Sequence, residues 1–556
     1  MNKQFGALAF FLAIPLLGAA VWAAPATAAT DVSPTPPMGW NDWAHYQCDY
    51  TAQTVLANAK ALVASGLAKR GYDRVTVDDC WMGRKRDAQG NLTVNPKRFP
   101  QGIGPVIAAI HRMGLKFGIY EDAGSLTCGG YAGSGAAKPG APDHFDRDMR
   151  QFAQWGVDYV KLDGCNVQSA HGASMEATYR KAYAAASAAI KASGKAMIFV
   201  ESAPAYFQGQ PSWYDVLGWV GAYGQLWREG SDIATFNKAH PDAPRFRSVM
   251  WNYVYNRPLG RYQKPGNWND PDFIIGGDPG MSLAETRSQM ALWAMMSAPL
   301  VLSVDVPKLS PAAIKVIGNK DVIAVDQDRL GRMATLLQRD ASRDVLRKKL
   351  ADGGYAVAVF NHSYAPIKVD LSTTALGFAD TPACTMDTRN LWTQHAGRHA
   401  KALQAQVVPG DTAIWQVTPS AACGTARRMG AVVMTVSGSR DIAGHGRCLS
   451  DAGYVRSCRG DETESWTLGA NGALQAQGKC LALVDGAPKM AACDDKPDQH
   501  WVYHQDGSLV NAADQLCLST NKRFAHSAWM PLQMRACGHH EATQIWSLPD
   551  GHAMLR

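Results

Sequence analysis

From residue 35 to 310 the chain repeats one pattern: a short apolar run that breaks off at an acid. Val157 to Leu162 reads as a buried strand and stops at Asp163-Gly164. Val75 to Val77 ends in Asp78-Asp79-Cys80-Trp81, Leu115 to Tyr120 in Glu121-Asp122, Ala196 to Val200 in Glu201-Ser202, and Leu300 to Val304 in Asp305. Gln225 to Trp227 runs into Arg228 and then Asp232, and Trp268-Asn269-Asp270-Pro271-Asp272 leads into another apolar stretch. Between these runs, Ala52 to Ser65 (rich in Ala, Leu and Val) and Tyr179 to Ala192 (rich in Ala and Lys) read as helices. Strands alternating with helices predict a parallel sheet, and about eight such units over roughly 250 residues predict a (β/α)8 barrel. An Asp-Gly turn or a helix N-cap accounts for any one of these acids, but not for their recurrence. In such a barrel they gather at the C-terminal rim, where substrates bind.

A rim of carboxylates and aromatics, without a phosphate-binding glycine loop, points to sugar chemistry. Acetal hydrolysis needs two carboxyl groups flanking the scissile bond. Lys161, two residues before Asp163, lies on the same face of the strand, where its charge favours an ionised Asp163. The partner acid must hold a proton, which burial and neighbouring carboxylates promote. No His-Glu-x-x-His, Cys-x-x-Cys or EF-hand loop occurs, so neither a metal nor a cofactor is expected.

Several segments together resemble glycoside hydrolase family 27, which contains α-galactosidases and α-N-acetylgalactosaminidases. They are Pro36-Pro37-Met38-Gly39-Trp40-Asn41, Asp78-Asp79-Cys80-Trp81, Lys97-Arg98-Phe99-Pro100 with Gly102, Gly118-Ile119-Tyr120, Lys161-Leu162-Asp163-Gly164-Cys165 and Trp268-Asn269-Asp270-Pro271-Asp272. The resemblance implies Asp163 as nucleophile and Asp232 as general acid/base. It further implies that Asp78 and Asp79 hold the sugar's O4 and O6, with Trp43, Tyr120, Lys161, Arg228 and Asp272 completing the pocket wall. Ser202 and Ala205 fall where the α-N-acetylgalactosaminidase branch carries small residues, and a slip of one residue would bring Glu201 to the pocket instead. Cys48–Cys80 and Cys128–Cys165 match the family's disulfides.

Past the barrel, β patterning takes over in Tyr355 to Phe360 and Thr412 to Val417, predicting an antiparallel sandwich like the one that follows the barrel in that family. Beyond a linker around Gly424 to Gly444 comes a threefold repeat. Cys448-Leu449 leads to Cys458 and Trp466, Cys480-Leu481 to Cys493 and Trp501, and Cys517-Leu518 to Cys537 and Trp546. The repeat resembles a ricin-type β-trefoil. Sugar-binding repeats of that type carry Asp two positions after the first Cys, where this chain has Ser450, Ala482 and Ser519. The expected domains are a signal peptide at 1–29, the barrel at 30–318, the sandwich at 319–420 and the trefoil at 424–556.

The signal peptide rests on a weakly basic start, an apolar run from Phe5 to Ala24 and the small residues to Ala29. It predicts a secreted or periplasmic protein with no membrane span after cleavage. Twelve cysteines in an exported chain predict disulfides, with Cys384–Cys423 paired by elimination. A net charge of +7 over 556 residues does not argue for nucleic acid. The expected partner is an α-galactoside in an oligo- or polysaccharide, and the sequence leaves the oligomeric state open. The implied activity is that of a retaining exo-glycosidase releasing terminal α-D-galactosyl residues. The alternatives are an α-N-acetylgalactosaminidase or other α-glycosidase, and a non-catalytic carbohydrate-binding protein, against which the intact pair of acids argues.

Overall fold

The computed structural model describes residues 32–434, 447–521 and 528–549. The expected signal peptide, and part of the expected linker, lie outside the described residues.

Eight parallel strands form the first sheet: β1 (Met38–Asn41), β2 (Arg74–Val77), β3 (Lys116–Asp122), β4 (Tyr159–Asp163), β5 (Ile198–Glu201), β6 (Leu226–Arg228), β7 (Trp268–Asp270) and β8 (Leu300–Leu302). Each pairs with the next in sequence through β7, and β8 pairs with β1. The seam between β7 and β8 closes just past β7, where Ile274 bridges Leu302. Of the two helices read from the sequence, Ala52–Ala64 begins as expected behind a Thr51 capping box, while the second, Met175–Ala192, begins four residues before Tyr179, where Ser174 caps it.

Side chains alternate between the two faces of a strand. Tyr159, Ile198, Val200, Leu226 and Trp268 fill the barrel interior as one buried cluster, with Val32 packed against it. Their sequence neighbours Val160, Leu162, Phe199 and Trp227 join the core shared with the helices. The same alternation splits the strand-end acids. Glu121 is in register with Leu162, and Glu201 with Leu162 and Trp227, so both glutamates belong to the outer face. Both are buried, and desolvation raises their pKa well above the ordinary carboxylate range. The expectation that every strand-end acid lines the rim is corrected accordingly.

Helix Pro311–Ile317 ends just before position 318, a second helix, Lys320–Asp326, follows it, and the sandwich strands begin at Thr335. One sandwich sheet has six strands, the other pairs Ile367–Ser372 with Ala402–Val407. Helix Leu283–Met296 lies between barrel and sandwich and is buried on nearly every face from Thr286 onward. Lys348 of the sandwich donates at its C-terminal end, to the Ala294 carbonyl at 2.8 Å and Ser297 Oγ at 2.6 Å.

A buried ion cluster ties the same two domains. Asp344 accepts from Tyr253 Oη at 2.8 Å, Arg257 Nη1 at 3.0 Å and Arg339 Nη1 at 2.7 Å. Burial works against its ionisation, but Arg339, then His362 and Arg257, outweigh it and hold the carboxyl far below its usual range. A depressed native pKa adds stability that is fully present above the unfolded value of about 3.9 and is lost as pH falls toward the native value. Asp344→Ala removes the carboxylate that both buried guanidinium groups share, and we expect it to lower the unfolding free energy in urea by about 3–5 kcal/mol. A loss below about 1 kcal/mol would mean the cluster is not a structural tie.

The threefold repeat folds as one unit. Trp466, Trp501 and Trp546 are buried in a common core, and each indole N–H donates to the leucine carbonyl of its own repeat: Leu449 at 2.8 Å, Leu481 at 2.9 Å and Leu518 at 3.0 Å. Ser450, Ala482 and Ser519 are buried. Met429–Gly430 and Val433–Met434, placed in the linker by sequence, already pair with trefoil strands. All cysteines are paired: Cys48–Cys80, Cys128–Cys165 and Cys384–Cys423 as expected, and within the three repeats Cys448–Cys458, Cys480–Cys493 and Cys517–Cys537. No described helix is long and apolar enough to cross a membrane.

Candidate active site

Along the inner faces of β4, β6 and β7 the residues change from apolar in mid-barrel to charged at the C-terminal end. Tyr159 gives way to Lys161 and Asp163, Leu226 to Arg228, and Trp268 to Asp270 and Asp272. Burial of the ion pairs among these residues makes a rigid, charged floor. Lys161 Nζ donates to Asp78 Oδ2 at 2.8 Å, and Arg228 Nη2 lies 2.9 Å from Asp272 Oδ2. Lys161 is therefore hydrogen-bonded to Asp78, and it acts on Asp163 through its charge alone. Desolvation opposes its charge, yet Asp78 and then Asp163 raise its pKa, so it remains a cation.

Asp78 also accepts from Asn41 Nδ2 at 2.7 Å, and its own N–H donates to buried Asp42 at 2.7 Å. Asp79 Oδ2 accepts from Gly129 N at 2.7 Å, which fastens the loop after β3 to β2. Trp43 starts the short helix after β1, half-buried, with its N–H on Asn41 Oδ1 at 2.8 Å. Tyr120 is buried, lies 5.2 Å from Lys161 Nζ by its ring centroid, and donates to Asp122 at 3.2 Å.

Two carboxylates stand above this floor. Asp163, at the end of β4, is half-buried; Tyr206 Oη donates to its Oδ1 at 2.6 Å and Gly164 N donates to the same oxygen at 2.9 Å. Asp232 has a side chain 68% exposed and meets Arg228 Nη2 at 2.9 Å. Desolvation by the surrounding walls raises its pKa, but the charges of Arg228 and Lys161 prevail and hold it below the ordinary carboxylate value. This direction runs against the expectation that its surroundings favour the protonated form. Asp163 and Asp232 both sit in the field of Lys161, which joins the two halves of the site.

Comparison with known proteins bears on this arrangement. The family described as alpha galactosidase A matches residues 35–328, its C-terminal beta sandwich domain residues 340–417, and the ricin-type beta-trefoil lectin domain residues 441–546. Alpha-galactosidase A of Aspergillus niger is 36% identical over 530 residues, covering 93% of this chain and 92% of the relative. The chain belongs to the α-galactosidase family, glycoside hydrolase family 27. An alpha-galactosidase of Oryza sativa subsp. japonica is 36% identical over 69% of this chain and 85% of its own. The crystal structure of alpha-galactosidase I from Mortierella vinacea superposes with a TM-score of 0.62 at 28% identity, covering 70% of this chain and 98% of that one.

The wall of this hydrolase after β5 holds the remaining expected residues. Ser202 is buried, with its Oγ unpartnered among the described residues, and Ala205 lies half-buried on the turn Ala203–Phe207. Glu201 belongs to the opposite face of the strand, against Gly224, so the one-residue slip does not occur. Tyr206 is the functional residue that sequence reasoning missed. Desolvation, with Asp163 beside it, raises its pKa, which keeps the hydroxyl protonated as a donor. Its signal was Gly164: a Cβ there would lie 2.8 Å from the Tyr206 ring and 2.7 Å from that of Tyr179. The glycine after the acid therefore makes room for the tyrosine that holds it. Asp305, read as a rim acid, instead pairs with Lys308 at 2.7 Å.

Proposed function

We propose that the protein is an exported retaining exo-glycosidase that hydrolyses terminal α-D-galactosyl residues by double displacement. The observation that carries this reading is the pair of accessible carboxylates, Asp163 and Asp232, above a floor of buried ion pairs. Asp163 attacks the anomeric carbon while Asp232 gives a proton to the leaving oxygen, and ionised Asp232 then draws a proton from the water that cleaves the glycosyl-enzyme. The hydrogen bonds from Tyr206 and Gly164 fix one oxygen of Asp163, which restricts its rotation and orients the other for attack. Asp78 and Asp79 supply acceptors for sugar hydroxyls, and Arg228 and Lys161 supply donors. Export is supported by the apolar N-terminal run and by the pairing of every cysteine.

A second reading, α-N-acetylgalactosaminide hydrolysis, is favoured by the free Ser202 hydroxyl beside small Ala205. A 2-acetamido group needs a donor for its carbonyl and space for its methyl, and this wall offers both. Catalytic efficiency on matched aryl α-galactoside and α-N-acetylgalactosaminide decides between the two. We expect the galactoside to be preferred; a preference of about tenfold or more for the acetamido sugar, about 1.4 kcal/mol, would replace the first reading with the second. In that event Ser202→Glu should shift the preference back toward galactose, because it fills the acetamido space.

A further inference from the structure

Away from the active site, the barrel and the trefoil meet at a cluster of metal-binding side chains. Asp215 lies on the barrel helix Ser212–Val220, and His539 and His540 lie on the trefoil just before the turn Ala542–Gln544. His539 Nε2 is 3.0 Å from Asp215 Oδ2, and His540 Nε2 is 2.8 Å from Asp215 Oδ1. One ligand atom from each residue lies within 4.8 Å of the others.

We propose that Asp215, His539 and His540 form a binding site for a divalent transition-metal ion of the zinc type, which clips the trefoil to the barrel. Two imidazole nitrogens and one carboxylate oxygen are the ligand set that such ions prefer over calcium or magnesium, and three protein ligands leave a fourth position for water. Adjacent residues in an extended chain point to opposite sides. Here His540 takes a left-handed conformation, φ +46°, and the two rings stand with centroids 4.1 Å apart, both nitrogens turned to one carboxylate.

The other nitrogen of His540 has its own carboxylate. Nδ1 lies 3.4 Å from Asp506 Oδ2, and Asp506 is in turn anchored by Ser508 N at 2.8 Å and Ser508 Oγ at 2.7 Å. That contact falls short of a hydrogen bond, but a negative charge behind a ligating histidine raises its basicity as a ligand, and a small closing of the gap on metal binding would fix the proton on Nδ1 and the lone pair on Nε2. The site is also reachable, since His539 is 71% exposed while His540 is 10% exposed. Arg261 of the barrel donates beside it to the Asp506 carbonyl at 3.1 Å, so the two domains already meet where the ion would sit.

The test uses the whole chain, stripped with a chelator and dialysed against zinc. We expect one equivalent to bind, cobalt(II) at the same site to give visible d–d absorption of tetrahedral strength, and zinc to raise the melting temperature. The double variant His539→Ala/His540→Ala should lose about a hundredfold or more in zinc affinity and the zinc-dependent melting shift, while hydrolysing a small aryl α-galactoside as before. Asp506→Asn should weaken binding by about 10–100-fold. Failure of the stripped chain to take up zinc at a free concentration on the order of 100 µM, or equal uptake by the double variant, overturns the proposal. Neither result touches the assignment of the active site.

Discussion

Asp163→Ala should abolish turnover, lowering kcat/KM for an α-galactoside by at least about 10⁴-fold, because it removes the carboxylate that forms the glycosyl-enzyme. The loss belongs to chemistry rather than to folding: Asp163 is half-buried and its structural ties are the hydrogen bonds from Tyr206 and Gly164. Removing the carboxylate opens space beneath the anomeric carbon, and azide added to the variant should enter it and restore cleavage of an activated aryl substrate. The product should be the β-galactosyl azide, with configuration inverted, since azide takes the path of the missing carboxylate. An azide of retained configuration would place the nucleophile elsewhere.

Asp232→Ala should divide substrates by leaving group. Galactosides with poor leaving groups should lose about 10²–10⁴-fold in kcat/KM, and those with activated aryl groups much less, because only the former need a proton as the bond breaks. The structure adds a pH dependence. Arg228 and Lys161 hold Asp232 below the usual carboxylate range, so its protonated form dwindles as pH rises above that lowered value. For the wild type and a poor leaving group, kcat/KM should therefore decline from the weakly acidic range through neutrality. The slope approaches tenfold per pH unit, and the Asp232→Ala variant loses it. A flat profile to pH 8 would show that Asp232 is not the acid in the free enzyme. The lowered value suits the second step, in which an ionised Asp232 must accept a proton from water.

Much of the fold was legible because the barrel strands carry an unusually regular signal, an apolar run closed by an acid. The sequence did not say which acid of each doublet faces the substrate. A strand turns successive residues to opposite faces, so Asp122 is in register with Asp163 while Glu121 is in register with Leu162. The register itself depends on pairing between distant strands, which no local pattern encodes. The hydrogen-bond partner of Lys161 was hidden for a related reason. Its place two residues before Asp163 sets the face but not the partner, and Asp78, two strands away, claims the ammonium at 2.8 Å.

The trefoil repeat was legible because Cys, Leu and Trp recur at matching places, and the three indole hydrogen bonds express that repetition in space. Its docking on the barrel was not. Arg261 gives no sign in sequence of reaching the carbonyl of Asp506, nor does Asp215 of meeting His539 and His540. Isolated charged residues read as solvated surface until a partner domain is brought to them.

The central claim, a retaining hydrolase acting on α-galactosides, is tested most directly by following the anomer released first from an aryl α-galactoside by proton NMR. The account predicts that α-galactose appears first and the β anomer only by later mutarotation, because two inversions, at Asp163 and then at water, restore the starting configuration. Release of β-galactose first would contradict it.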